Sequence, residues 1–202
     1  DLFPLDRYVP VYRMFDGRRQ IQVSTARGCP YDCTFCSNFN GTKVRSRETE
    51  QILDEIGRAI HQFNAGSICF TDESLPINAD RTARLCEGMI RRGYDRTPWL
   101  CQSGVNQLTP DLLALMKRAG CCCISIGLES GNQDVLDRCK KRITLEQARR
   151  AVDITTKAGI SPDALFLIGL PYDTPKTILD TIRFARSLNT KQASFSNAVP
   201  FP

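Results

Sequence analysis

A chain of 202 residues, 42% of them apolar, can bury one sizeable core, and no run approaches the roughly 20 apolar residues of a membrane span. Net charge is +5, but the 27 basic and 22 acidic side chains are interspersed, and DGRRQ and RRGYDR read as solvated turns rather than a nucleic-acid surface. Ten cysteines against a single histidine, His61, all but exclude mixed His/Cys zinc sites; in the cytoplasmic setting expected, they point to a thiolate-held centre rather than a disulfide framework.

Residues 1–19, opening DLFPLDRYVP, lack the basic region and apolar run of a secretory leader, and an extended, proline-marked connector is expected there. A single domain is expected over residues 20–202, cut short at its C-terminal side. Its first strand is IQVST. RGCPYDCTFC follows, with Cys29, Cys33 and Cys36 spaced C-x-x-x-C-x-x-C. Ile52, Ile56, Ile60 and Phe63 then recur on one helical face, and the strand SICFT ends at Asp72 and Glu73. The helical pattern around Met89 leads to the strand WLCQS, with Asn106 just beyond it. In LTPDLLALMKRAG, Thr109 is the N-cap, Pro110 the first helical residue and Gly120 the stop. The strand CCISIGL runs into Glu129 and Ser130. Thr144 and Gln147 form a capping box for a helix that Gly159 ends. ALFLIGL ends at Gly169 and Pro171. Thr174 and Pro175 open a last helix with Ile178, Ile182 and Ala185 on one face, before the final strand ASFSNA.

Strands alternating with helices imply α/β architecture with right-handed parallel crossovers. Six such units favour a partial (β/α)6 TIM-like barrel with its helices outside, an open doubly wound sheet being the alternative. The chemistry-bearing residues all follow strands, so they gather at the C-terminal edge, where parallel barrels place their active sites. With Glu129 pointing into the barrel, alternation sends Gly127, Ser125, Cys123 and Cys121 inward with it.

A closed structural zinc site wants four ligands, and three thiolates leave a coordination position open. A 4Fe–4S cube held by Cys29, Cys33 and Cys36 would keep one iron for another ligand. Gly28 allows close backbone approach, Pro30 stiffens the entry, and Phe35 offers a ring to a planar group. A half-formed zinc site or three core cysteines is the competing interpretation.

RGCPYDCTFCS, FTDES, LTPDLLALMKRAGC, SIGLESGNQDVL, KKRIT and FLIGLPYDT occur in this order along nearly the whole chain. In these segments the sequence resembles the radical S-adenosylmethionine (SAM) enzymes, closest to the branch that often carries a cobalamin-binding domain ahead of the barrel. The resemblance implies that Cys29, Cys33 and Cys36 ligate the 4Fe–4S cluster and that Phe35 packs near the adenine of SAM. It implies Asp72 and Glu73 at the methionine amino group, and Glu129 at the methionine or ribose portion, a role compatible with the alternative that Glu129 caps a helix opening at Gly131. One of Lys140, Lys141 and Arg142, with Lys141 the best match, would meet the SAM carboxylate. Ile168 and Gly169 would offer backbone to the adenine. Relatives often carry a charged residue near Gly104; here either Ser103 or Asn106 substitutes or the contact is absent.

The activity so implied is reductive cleavage of SAM to a 5′-deoxyadenosyl radical. It would belong to the core of a cobalamin-associated methyltransferase or rearrangement enzyme, with cobalamin carried by a domain outside these residues. A small-molecule substrate and an electron donor such as flavodoxin or ferredoxin would be its partners. A cobalamin-free radical enzyme modifying a tRNA base, and a non-catalytic iron–sulfur scaffold, are the alternatives.

Overall fold

The computed structural model describes residues 19–199, so the expected connector lies outside the described residues apart from Arg19. In chain order these residues form β1 (Gln20–Val23), β2 (Ala26–Arg27), β3 (Arg45–Ser46), α1 (Thr49–His61), β4 (Ser67–Phe70) and α2 (Ala79–Arg91). They continue through β5 (Trp99–Ser103), α3 (Pro110–Arg118), β6 (Cys121–Glu129), α4 (Gln133–Arg138) and α5 (Leu145–Lys157). β7 (Ser161–Ile168), α6 (Pro175–Arg186) and β8 (Gln192–Asn197) complete the order.

The main sheet has six strands in the order β1-β4-β5-β6-β7-β8, and every neighbouring pair is parallel. Each strand is laid beside its predecessor without a reversal. Right-handed crossovers repeated in one direction put the helices on one face, where α1 packs on α2, α2 on α3 and α3 on α5. A doubly wound sheet needs a reversal of strand order, so the partial-barrel expectation holds and its alternative fails. Among the described residues β1 and β8 do not pair, which leaves the barrel open.

Local chemistry starts the helices where the sequence places them. Thr109 Oγ1 accepts from the Leu112 N–H at 3.3 Å, and Thr144 and Gln147 cap one another at 3.1 and 2.8 Å. The outer face of the sheet supplies Ile68, Phe70, Trp99, Ile124, Ile126 and Phe166 to one core shared with Ile52 and Ile56 of α1, Met89 of α2 and Met116 of α3. Trp99 meets Phe70 edge-on at 5.2 Å and donates its indole N–H to the Ala119 carbonyl at 2.7 Å.

Three local expectations need correcting. The ladder between β5 and β6 skips Cys122, so Trp99 pairs with Cys121 but Leu100 with Cys123. That bulge turns Cys121 out of the lumen into the core beside Cys101 and Cys86. Second, α1 ends at His61, short of Phe63. Third, α6 buries Thr181, Phe184 and Ala185, leaving Ile182 40% exposed, because the Phe184 ring sets the rotation by packing edge-on to Phe166.

Candidate active site

The cysteine loop leaves β2 and returns through β3, a two-stranded antiparallel ribbon that pairs Arg27 with Arg45 and so pins both ends of the loop. Gly28 has φ +101, and a Cβ there would strike the Lys43 carbonyl, so only glycine lets the returning chain pass this close. The Cys29 N–H donates to the Gly41 carbonyl at 3.1 Å and the Cys36 N–H to the Cys33 carbonyl at 3.1 Å. Glu73, three residues past the end of β4, accepts from the Gly28 N–H at 3.3 Å and from Asn40 Nδ2 at 2.5 Å. The carboxylate therefore ties the two sides of the loop to the sheet edge.

Cys29, Cys33 and Cys36 line one cavity of ≈ 320 Å³ at the C-terminal mouth, within the size range of small-ligand sites. All three are free thiols. Among the described residues no three His, Cys, Asp or Glu side chains are already gathered at metal-binding distance. The donor set is nonetheless of one kind: three thiols on one short loop, facing one cavity, with no histidine to complete a zinc tetrahedron. That chemistry fits an iron–sulfur cluster with one iron left to another ligand. Burial raises the Cys33 thiol above its ordinary range, an effect that the nearby Lys141 ammonium opposes.

Across the cavity stand Glu129 and Lys141. The ladder between β6 and β7 skips Leu128, and Glu129 takes φ +66, a bulge that aims its carboxylate into the mouth at the end of the strand. Lys141 Nζ donates to Glu129 Oε1 at 2.8 Å, and both side chains are largely buried. The same ammonium lies 5.8 Å from the centre of the Phe35 ring. Of the three candidate cations only Lys141 lines the main cavity; Lys140 and Arg142 turn to Asp32 at its rim. The helix-cap alternative for Glu129 fails as well, because Asn132 caps α4 by accepting from the Val135 N–H at 3.2 Å.

The structure gathers most, but not all, of the expected residues. Phe35, Glu73, Ser103, Glu129 and Lys141 line the cavity with the three cysteines. Asp72 does not. It is 2% exposed and accepts from the Thr25 N–H at 2.6 Å and from the Thr25 hydroxyl, with Arg81 Nη2 at 4.0 Å. Of the two adjacent carboxylates, Asp72 is taken up by Thr25 and Glu73 lines the cavity. Ile168 and Gly169 also lie outside the cavity wall. The Ile168 carbonyl accepts from the Ala198 N–H at 2.8 Å and the Gly169 N–H donates to Asp173 at 3.0 Å. Ser103 spends its hydroxyl on the Gly104 carbonyl at 2.9 Å, and Asn106 sits in a side groove of ≈ 50 Å³ shared with Lys141 and Arg142. Sequence reasoning missed Gln107, which also lines the cavity and accepts from the Gly104 N–H at 3.1 Å. It sits in the short turn after β5, where no periodicity marks it.

The description "Radical SAM superfamily" fits residues 23–185 of the chain. An uncharacterized methyltransferase of Pyrococcus horikoshii is 31% identical over 204 residues, covering 100% of this chain and 43% of the relative. The anaerobic magnesium-protoporphyrin IX monomethyl ester cyclase of Rubrivivax gelatinosus is 30% identical over 210 residues, covering 98% of this chain and 38% of that one. The chain thus spans less than half the length of these curated relatives. The radical S-adenosylmethionine methyltransferase TsrM of Kitasatospora setae, solved with cobalamin and a [4Fe-4S] cluster bound, superposes with a TM-score of 0.81 at 20% identity, over 91% of this chain and 37% of that one. No helix among the described residues is long and apolar enough to cross a membrane.

Proposed function

The chain belongs to the radical SAM superfamily, and on that premise we propose that its cavity holds a 4Fe–4S cluster and SAM and performs reductive cleavage of the sulfonium. When bound, the cluster would supply the single electron that reductive cleavage of SAM requires. Cys29, Cys33 and Cys36 would hold three irons as thiolates. Each thiol therefore gives up a proton on loading, and Lys141, the positive charge that opposes the rise at Cys33, favours that loss.

The observation that carries this reading is the charge order around the thiols. Glu73 and Glu129 present carboxylates, Lys141 presents an ammonium, and all three share the wall that the thiols line. A zwitterionic methionine moiety needs both signs side by side. Glu73 would receive its ammonium while keeping the cysteine loop fastened, Lys141 its carboxylate, and Glu129 would hold Lys141 and the ribose side. Phe35 would close the face of the adenine. Asp72, Ile168 and Gly169 stand outside that wall and take no part in this arrangement.

The relatives include an uncharacterized methyltransferase and a magnesium-protoporphyrin IX monomethyl ester cyclase, and TsrM is solved with cobalamin bound; together they support a cobalamin-associated methyl transfer or rearrangement on a small-molecule substrate. Cobalamin would bind a unit outside these residues, since more than half of each relative lies beyond the matched stretch. A flavodoxin or ferredoxin as reductant and a cytoplasmic location complete the proposal. Anaerobic reconstitution with iron and sulfide, followed by dithionite and SAM, tests it. Formation of 5′-deoxyadenosine by the wild type but not by Cys33→Ala supports it; a reconstituted, reduced cluster that leaves SAM intact overturns it.

A further inference from the structure

Four consecutive residues of the cysteine loop each meet the segment 139–142 that joins α4 to α5. Asp32 Oδ1 pairs with Arg142 Nη2 at 2.7 Å, and its other oxygen stands 3.9 Å from Lys140 Nζ. The Cys33 thiol faces the Lys140 carbonyl at 3.7 Å. The Thr34 N–H donates to the Cys139 carbonyl at 3.1 Å. Phe35 lies against the Lys141 ammonium. The joining segment has two left-handed residues: Lys140, φ 55, caps α4, with the Lys141 N–H donating to the Leu136 carbonyl at 2.9 Å, whereas Arg142, φ 56, lies beyond that cap in a conformation that costs a residue with a Cβ. These two residues turn outward to Asp32, and the one between them turns into the cavity.

We propose that Asp32 is a positioning residue: through Arg142 it fastens the 139–142 segment to the cysteine loop and so holds Lys141 where it meets SAM. This rests on the reading of Lys141 as a SAM contact. The fastening links the two ligands of the site. An ordered, cluster-loaded loop presents Lys141 to SAM, and by reciprocity bound SAM retains the cluster. Because the Asp32 and Arg142 side chains are 47% and 62% exposed, solvent screens the pair and its effect is modest.

The test uses the reconstituted chain as wild type, Asp32→Asn, Arg142→Gln, the charge-swapped Asp32→Arg/Arg142→Asp double variant, and Lys141→Ala. SAM affinity is measured by equilibrium dialysis, and cluster loss by iron release to a ferrous chelator with and without SAM. Arg142→Gln, which leaves the cysteine motif intact, should keep its cluster, bind SAM about two- to fivefold more weakly and lose SAM protection by a similar factor. Asp32→Asn should match it, and the charge swap should recover part of both losses. Wild-type affinity and protection in Arg142→Gln, with Lys141→Ala impaired, would overturn the role of Asp32 alone. An unimpaired Lys141→Ala would instead overturn the reading of Lys141 and the inference with it.

Discussion

Gly127 offers a sharp separation between stability and function. It lies on β6 directly beneath the Glu129–Lys141 pair: a Cβ added there would stand 2.5 Å from Glu129 Oε1 and 3.1 Å from Lys141 Nζ. Both contacts are to the ends of flexible side chains, so Gly127→Ala should not break the strand. Replacing a glycine whose backbone tolerates a side chain stabilises by about 0.4–1 kcal/mol through the unfolded state, which offsets much of any local crowding. The carboxylate, however, must retreat by roughly 0.5–1 Å to restore van der Waals contact, and it draws the lysine with it. A displacement of about 1 Å at a positioned group can cost on the order of 100-fold in a rate. We expect Gly127→Ala to melt within about 4 °C of wild type, to keep its full complement of iron, and to bind SAM at least about tenfold more weakly. Thermal unfolding, iron analysis and equilibrium dialysis read these three quantities separately. Unchanged SAM affinity in a stable, cluster-loaded Gly127→Ala protein would refute the assignment of the Glu129–Lys141 pair to SAM.

Glu129→Gln keeps the shape of the side chain and removes the charge that holds Lys141, so SAM affinity should fall in dialysis while iron content stays constant. Asp72→Asn should act on stability instead: it leaves the buried Arg81 guanidinium without its counter-charge, a loss of about 3–5 kcal/mol in denaturant unfolding. A variant that unfolds like wild type but fails to bind SAM would return Asp72 to the site. Gly131→Ala should also destabilise, by about 1–3 kcal/mol, because its Cβ would meet Phe184 Cβ at 2.5 Å and the Thr181 backbone at 2.6 Å, where neither can yield. Titration with hydroxocobalamin should show no stoichiometric binding to this chain at micromolar concentrations; a tight complex would place the cobalamin contacts on the barrel itself.

The strand–helix alternation and the helix starts were legible because each is written in a local pattern. Thr109-Pro110 and the Thr144/Gln147 box mark helix entry whatever surrounds them. The cysteine spacing was equally legible, since one loop carries all three ligands. What was not legible depends on partners distant in sequence. Asp72 and Glu73 look alike in the chain, and only the positions of Thr25 and Arg81 decide that Asp72 is consumed in the core. The bulge that skips Cys122 leaves no mark in the apolar pattern, yet it expels Cys121 from the lumen. The resemblance favoured Lys141 over Lys140 and Arg142, but the physical reason lies far off in the chain: Asp32, 110 positions before Arg142, draws off the outer two.

The central claim is that the thiols of Cys29, Cys33 and Cys36 hold a cluster whose remaining iron is open to SAM. Electron paramagnetic resonance of the anaerobically reconstituted, dithionite-reduced chain, recorded before and after SAM is added, tests it most directly. The result expected is about four irons per chain, the nuclearity of a cubane cluster, with a reduced-cluster signal whose g-values shift on SAM binding and which is absent from Cys33→Ala. A colourless zinc-loaded protein, or a four-iron cluster whose spectrum SAM leaves unmoved, would contradict it.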